Sequence, residues 1–171
     1  MIELERTYLA KFLPNLKKCK KKEVLDVYIP RTRHPKLRIR KNGEKYEITK
    51  KVKTDKDVTK SHEHTVPLTK EEFKELIKLK GKQVRKIRHY YPYKGRMGEI
   101  DVFQDKLKGL VLIDFEFTNS KEKNAFKMPP FCLAEVKHEE FLAGGMLCGK
   151  SYKDIRKRLE KIGYRPLITK I

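Results

Sequence analysis

The sequence predicts an α+β domain made mainly of antiparallel β-strands, and two observations carry that prediction. Eight segments (2–9, 23–29, 36–41, 44–52, 61–67, 83–91, 98–104 and 110–118) alternate apolar with polar residues, as strands with one packed and one polar face do. Helix starts, in contrast, are signalled at only three places. At 171 residues, a single domain over 1–171 is expected, long enough to bury a real core.

The first strand places Glu3 and Glu5 on one face, with Ile2, Leu4 and Arg6 on the other, because alternate residues of an extended chain point the same way. Paired carboxylates suit a hard divalent cation such as Mg²⁺ or Mn²⁺, which takes oxygen ligands. Alternating glutamates on an exposed strand are more often a solvated face, so this pair needs support from elsewhere. The following run Lys17-Lys-Cys-Lys-Lys-Lys reads as a solvated loop, since no aromatic residue interleaves it as a nucleic-acid stacking platform requires.

Register is derivable at Asn42-Gly43, a strong two-residue hairpin signal that predicts Lys41 opposite Glu44, Arg40 opposite Lys45 and Arg38 opposite Glu47. The two-residue period then groups Lys36, Arg38 and Arg40 with Lys45, Glu47, Thr49 and Lys51. Leu37, Ile39, Tyr46 and Ile48 take the other face. On the next strand His62 and His64 flank Glu63, a spacing that permits a metal site but more often marks surface histidines.

Thr69 with Glu72 forms a capping box, and Phe73, Leu76 and Ile77 give the helix behind it one apolar stripe. Lys86 and Arg88 share a face of the sixth strand, Glu99 and Asp101 a face of the seventh. Asp114 and Glu116 share one on the eighth, opposed by Ile113, Phe115 and Phe117. A short helix follows Asn119 and is expected to end at Pro129-Pro130. Ser151 with Asp154 opens a last helix, with Tyr152, Ile155, Leu159 and Ile162 on its apolar side, ending near Gly163.

The same division into a charged and an apolar face recurs from strand to strand. Like charges on neighbouring strands repel unless ions of opposite sign separate them. Two acidic pairs could hold a metal, and several Arg and Lys residues could neutralise a polyphosphate. If the eight strands close with the charged face inward, they form a polar tunnel whose apolar outside is covered by helices.

Composition agrees. The formal net charge is +20, and residues 11–60 supply +12 of it from 18 basic and 6 acidic residues, which calls for an anionic partner. Cys19, Cys132 and Cys148 lack the CxxC spacing of a zinc site and are odd in number, so a reducing cytoplasm fits best. The longest apolar stretch, Leu110 to Ile113, is too short to span a bilayer.

In this order the motifs resemble the CYTH-domain family of the triphosphate tunnel metalloenzyme superfamily. IELERTYL resembles the family's Glu-x-Glu-x-Lys strand, RIRKNGEKYEITKK its Arg-x-Arg hairpin with a following Lys, and RKIRHYY its Lys-x-Arg strand. GEIDVF, LKGLVLIDFEF and PPFCLAEV follow in the family's order. The match runs from Ile2 to about Glu135, and the basic C-terminal helix also fits.

The resemblance implies an eight-stranded closed tunnel barrel with helices packed outside. It implies that Glu3, Glu5, Asp114 and Glu116 hold Mg²⁺ or Mn²⁺, and that Arg38, Arg40, Lys51, Lys86 and Arg88 grip a triphosphate. Glu63 matches a family glutamate, and Tyr28 lies near a position where some members carry tyrosine; Glu3, Glu5, Tyr28 and Lys51 are the catalytic candidates. The implied activity is metal-dependent hydrolysis of a linear triphosphate, first of all inorganic tripolyphosphate. Adenylate cyclisation and thiamine triphosphate hydrolysis occur on the same scaffold, and a non-catalytic polyphosphate- or RNA-binding module is the reading from a different class. The expected partner is inorganic or nucleoside triphosphate ahead of nucleic acid, with no membrane, in a cytoplasmic monomer or homodimer. Three positions depart from the pattern: Thr7 where the family has Lys, Asp114 where it has Glu, and Thr65 at a position often acidic.

Overall fold

A computed structural model describes residues 2–29, 37–53, 60–79 and 81–168, with the side chains of residues 2, 3, 51–53 and 60–62 outside the described set. Nine strands form one antiparallel sheet: β1 (Ile2–Ala10), β2 (Lys20–Ile29), β3 (Leu37–Asn42), β4 (Lys45–Lys53), β5 (Lys60–Leu68), β6 (Lys82–Tyr93), β7 (Arg96–Phe103), β8 (Val111–Phe117) and β9 (Cys132–Glu135). Their order is β5-β4-β3-β2-β6-β7-β8-β1-β9. β5 also pairs with β1, Ile2 opposite His62 and Leu4 opposite Lys60, so the eight strands expected from the sequence run round a common interior. The ninth, β9, pairs with β1 over Tyr8 to Ala10. A strand has two edges; β8 lines one edge of β1, and β5 and β9 divide the other between them.

The β3–β4 register differs from expectation. Asn42 stands opposite Lys45, Arg40 opposite Glu47 and Arg38 opposite Thr49. The central turn residues are Gly43 and Glu44, and of these only Gly43 has positive φ, +60°. Glycine at the first central position is the demand of a type II′ turn, whereas the expected register centred a type I′ turn on Asn42-Gly43. Each opposing partner therefore moves by two residues, and two is the side-chain period, so every residue keeps its face.

Helix α1 (Lys70–Leu76) begins with the expected capping box, in which Thr69 N–H donates to Glu72 (2.7 Å) and Glu72 N–H to the Thr69 hydroxyl (3.1 Å). Its Phe73 packs with Val27 and Ile39 over the outer face of β2–β4. Helix α2 (Ser120–Ala125) is capped by Asn119 and stops four residues before Pro129, in place of running to the prolines. Phe126 after it packs with Tyr8, Phe115 and Phe117 outside β1 and β8.

The C-terminal segment works differently. Helices α3 (Gly144–Leu147) and α4 (Tyr152–Lys161) contribute Leu147, Ile155 and Leu159 to a cluster with Leu9, Tyr28, Val84, Phe103 and Leu112. These last five continue the inward faces of β1, β2, β6, β7 and β8, so this cluster fills one end of the interior with apolar side chains. Among the described residues, no helix is long and apolar enough to cross a membrane.

Candidate active site

The interior is a cavity of about 920 Å³ lined almost entirely by charged and hydroxyl side chains away from its apolar end. Strand parity puts them there. On β2 and β3 the inward positions include Asp26, Arg38 and Arg40, and Arg40 binds Asp26 through Nε (2.6 Å) and Nη2 (2.8 Å). Burial pushes the Asp26 carboxyl up, but the charge and hydrogen bonds of Arg40, with Lys86 and Arg38 nearby, outweigh it and hold Asp26 well below the usual carboxylate range. Arg38 is less committed. Its Nη2 donates to Thr49 (3.4 Å) and lies 3.8 Å from Glu47. Its Nε is buried with no hydrogen-bond partner among the described residues. The Thr49 hydroxyl in turn shares a 3.0 Å hydrogen bond with Thr65.

Next round the wall, Asp101 is 1% exposed and serves two cations. It accepts from Lys86 Nζ and, at 2.7 Å each, from Arg88 Nε and Nη2. Burial raises the Asp101 carboxyl, and Lys86 and Arg88 more than reverse that, holding it at about 2. Arg88 Nη1 also pairs with Glu99.

The β7, β8 and β1 wall is acidic. Asp114 accepts from the Thr7 hydroxyl at 2.7 Å, and Glu5 stands directly opposite Glu116. Burial and the Asp101 charge push Asp114 up. Burial also lifts Glu99; Arg88 opposes the rise, while Asp101, Asp114 and Glu116 add to it. Glu5, Glu99, Asp114 and Glu116 thus bring four carboxylates onto adjoining strands of one wall. One further cation arrives from outside the eight-strand wall: the Lys137 ammonium pairs with Glu5.

The structure brings Glu5, Arg38, Arg40, Glu63, Lys86, Arg88, Asp114 and Glu116 of the predicted site into one cavity, and Tyr28 to its apolar end. Tyr28 is 9% exposed, and its hydroxyl lies so close to Gly144 that a Cβ at position 144 would overlap it. The side chains of Glu3, Lys51 and His62 lie outside the described residues, as does Lys36; by register, Glu3 faces Ser61 and Lys51 faces Glu63. His64 is exposed. The sequence reading missed Asp26 and Lys137. Asp26 had a signal, an aspartate inside the apolar run Val24-Leu-Asp-Val-Tyr-Ile; Lys137, in an irregular segment after a four-residue strand, had none.

Among the described residues no three His, Cys, Asp or Glu side chains stand grouped as a metal cage. In kind, though, the donors fit a hard cation. Glu5, Asp114 and Glu116 offer only oxygen donors, and burial with the neighbouring Asp101 charge holds the Asp114 carboxyl above its ordinary range.

The CYTH domain family model matches residues 1–126. Among solved structures, the inorganic triphosphatase NE1496 is 25% identical with a TM-score of 0.62, over 85% of this chain and 93% of its own. A second structure of NE1496 gives 0.64 at the same identity, over 87% and 99%. The putative adenylyl cyclase HpAC1 from Hippeastrum, described as having a dominant triphosphatase activity, shares the fold at 12% identity and a TM-score of 0.54, over 99% and 91%. No curated protein sequence matches the chain.

Proposed function

We propose, from the premise that this chain belongs to the CYTH domain family, that it hydrolyses a linear triphosphate in the charged tunnel, with inorganic tripolyphosphate as substrate. The observation that carries this is the convergence of Arg38, Arg40, Lys86 and Arg88 with Glu5, Asp114 and Glu116 in one cavity. Similarity to the inorganic triphosphatase NE1496 supports it.

In phosphoryl transfer the protein contributes mainly position and electrostatics. Asp26 holds Arg40 through two nitrogens and leaves its Nη1 outside that pair. Asp101 braces Arg88 likewise through Nε and Nη2, and Lys86 through its Nζ. These cations therefore keep fixed places before any anion arrives, so little ordering cost falls on binding. Arg38, held only by a 3.4 Å hydrogen bond to Thr49 and a 3.8 Å approach to Glu47, is less committed within the wall than Arg40 or Arg88 and is the guanidinium that can turn to phosphate oxygens. Glu5, Asp114 and Glu116, together with Glu3, would hold Mg²⁺ or Mn²⁺, which when bound polarises a phosphoryl oxygen and lowers the pKa of water. Thr7 fixes the Asp114 carboxylate by its hydrogen bond.

Phosphate release from tripolyphosphate, ATP and thiamine triphosphate, each with Mg²⁺ or Mn²⁺, tests the reading. Turnover should be greatest with tripolyphosphate and absent in Glu5→Gln, whose fold should be intact by circular dichroism. Absence of turnover with either metal, combined with tight salt-dependent binding of polyphosphate or RNA, would replace the enzyme by a binding module.

A further inference from the structure

Lys137 lies past the family-matched segment, just after β9, yet it lines the tunnel. Val136 N–H donates to the Thr7 carbonyl at 2.7 Å, which docks this segment on β1. The Lys137 ammonium then meets the Glu5 carboxylate, each side chain being 16% exposed. Glu5 needs such a neighbour. It faces Glu116 across the strand pair, and like charges so placed repel. The inward face of β1 offers no cation of its own, because Thr7 presents a hydroxyl and gives it to Asp114.

We infer that Lys137 is a resident counter-cation for Glu5 that competes with the divalent metal for this carboxylate and moves onto a phosphate oxygen when metal and triphosphate enter. The inference rests on the reading of Glu5 as a metal ligand. A mobile cation of this kind has two effects of opposite sign. It weakens metal binding to the empty tunnel, since the metal must displace it, and it strengthens binding of the anion. A lysine that merely held the segment in place would not separate the two.

Isothermal titration of the full chain with MnCl₂, and separately with tripolyphosphate in EDTA, reads both effects without turnover. Lys137→Met should bind Mn²⁺ roughly fivefold more tightly or better, and tripolyphosphate weaker by a similar factor, the lower end of typical coupling between two sites. Lys137→Gln should do the same and serves if the Met variant does not fold; Lys137→Arg should follow the wild type. If Glu5→Gln loses Mn²⁺ while Lys137→Met and Lys137→Gln gain none, the inference alone is overturned. If Glu5→Gln binds Mn²⁺ as the wild type does, the reading of Glu5 fails and takes the inference with it.

Discussion

Arg40 closes two guanidinium nitrogens on Asp26, at 2.6 and 2.8 Å, inside a tunnel wall where Asp26 is only 2% exposed. The pair replaces water for both ions. Its geometry matters because a buried charge deprived of its partner is far costlier than the pair itself is stabilising.

Removing one partner should therefore show in stability as well as in binding. Arg40→Met is expected to destabilise the fold by about 3–5 kcal/mol, the range for breaking a buried ion pair, measured by urea unfolding. The double variant Arg40→Met with Asp26→Leu should recover most of this loss. A double variant no better than the single would mean the Asp26 charge is not what makes the loss expensive.

Acid sensitivity follows from the same carboxylates. Asp26 and Asp101 have folded-state values below the unfolded range, so their stabilisation is complete above about 4 and drains away as pH falls towards their folded values. Asp114 and Glu99, held above that range, have the opposite sign: they cost stability as pH rises through their folded values. Urea midpoints taken between pH 7 and 2 should drop steeply only below about 4. Asp101→Asn should flatten that limb.

Gly144→Ala should displace the Tyr28 ring, because the new methyl overlaps its hydroxyl. A loss of about 1–3 kcal/mol is expected from such overpacking. Tyr28→Phe in the same chain removes the clashing oxygen and should restore much of it, a coupling visible in a double-mutant cycle. Additive losses would show that the two residues do not meet.

The thiols should divide into one accessible and two shielded groups. Cys19 is partly exposed, while Cys132 and Cys148 are buried, and burial pushes the Cys132 thiol up to about 12 and raises Cys148. Since the thiolate is the reactive form, Ellman's reagent at pH 8 should titrate one fast thiol in the native protein and three after unfolding.

Much of this was legible in the sequence because strand faces depend on parity alone. Arg38 and Arg40 face inward under either hairpin register, since the two registers differ by one side-chain period. The eight strands read from alternation agree with the structure to within about three residues, Lys20 starting β2 three residues early and the others falling closer. Asp26, on the regular strand β2, was legible from its place in an apolar run and was passed over, whereas β9 and Lys137 escaped because irregular backbone holds them. β9 spans four residues, too few to show a period, and Lys137 follows it with a place set by one backbone hydrogen bond to Thr7. Tyr28 also depended on tertiary structure. Its strand position puts it inside, but only the packing of α3 reveals that this part of the interior is apolar.

That apolar filling has a bearing on kinetics. With Leu9, Phe103, Leu112 and the side chains of α3 and α4 occupying one end, a triphosphate hydrolysed here would enter, and its products leave, by the other. On the proposed reading traffic is single-file: the fragment deepest in the tunnel leaves last, and the next triphosphate waits behind it. Pyrophosphate, long enough to span several of the same cations, should then act as a competitive inhibitor, raising the KM for tripolyphosphate and leaving kcat unchanged in steady-state assays.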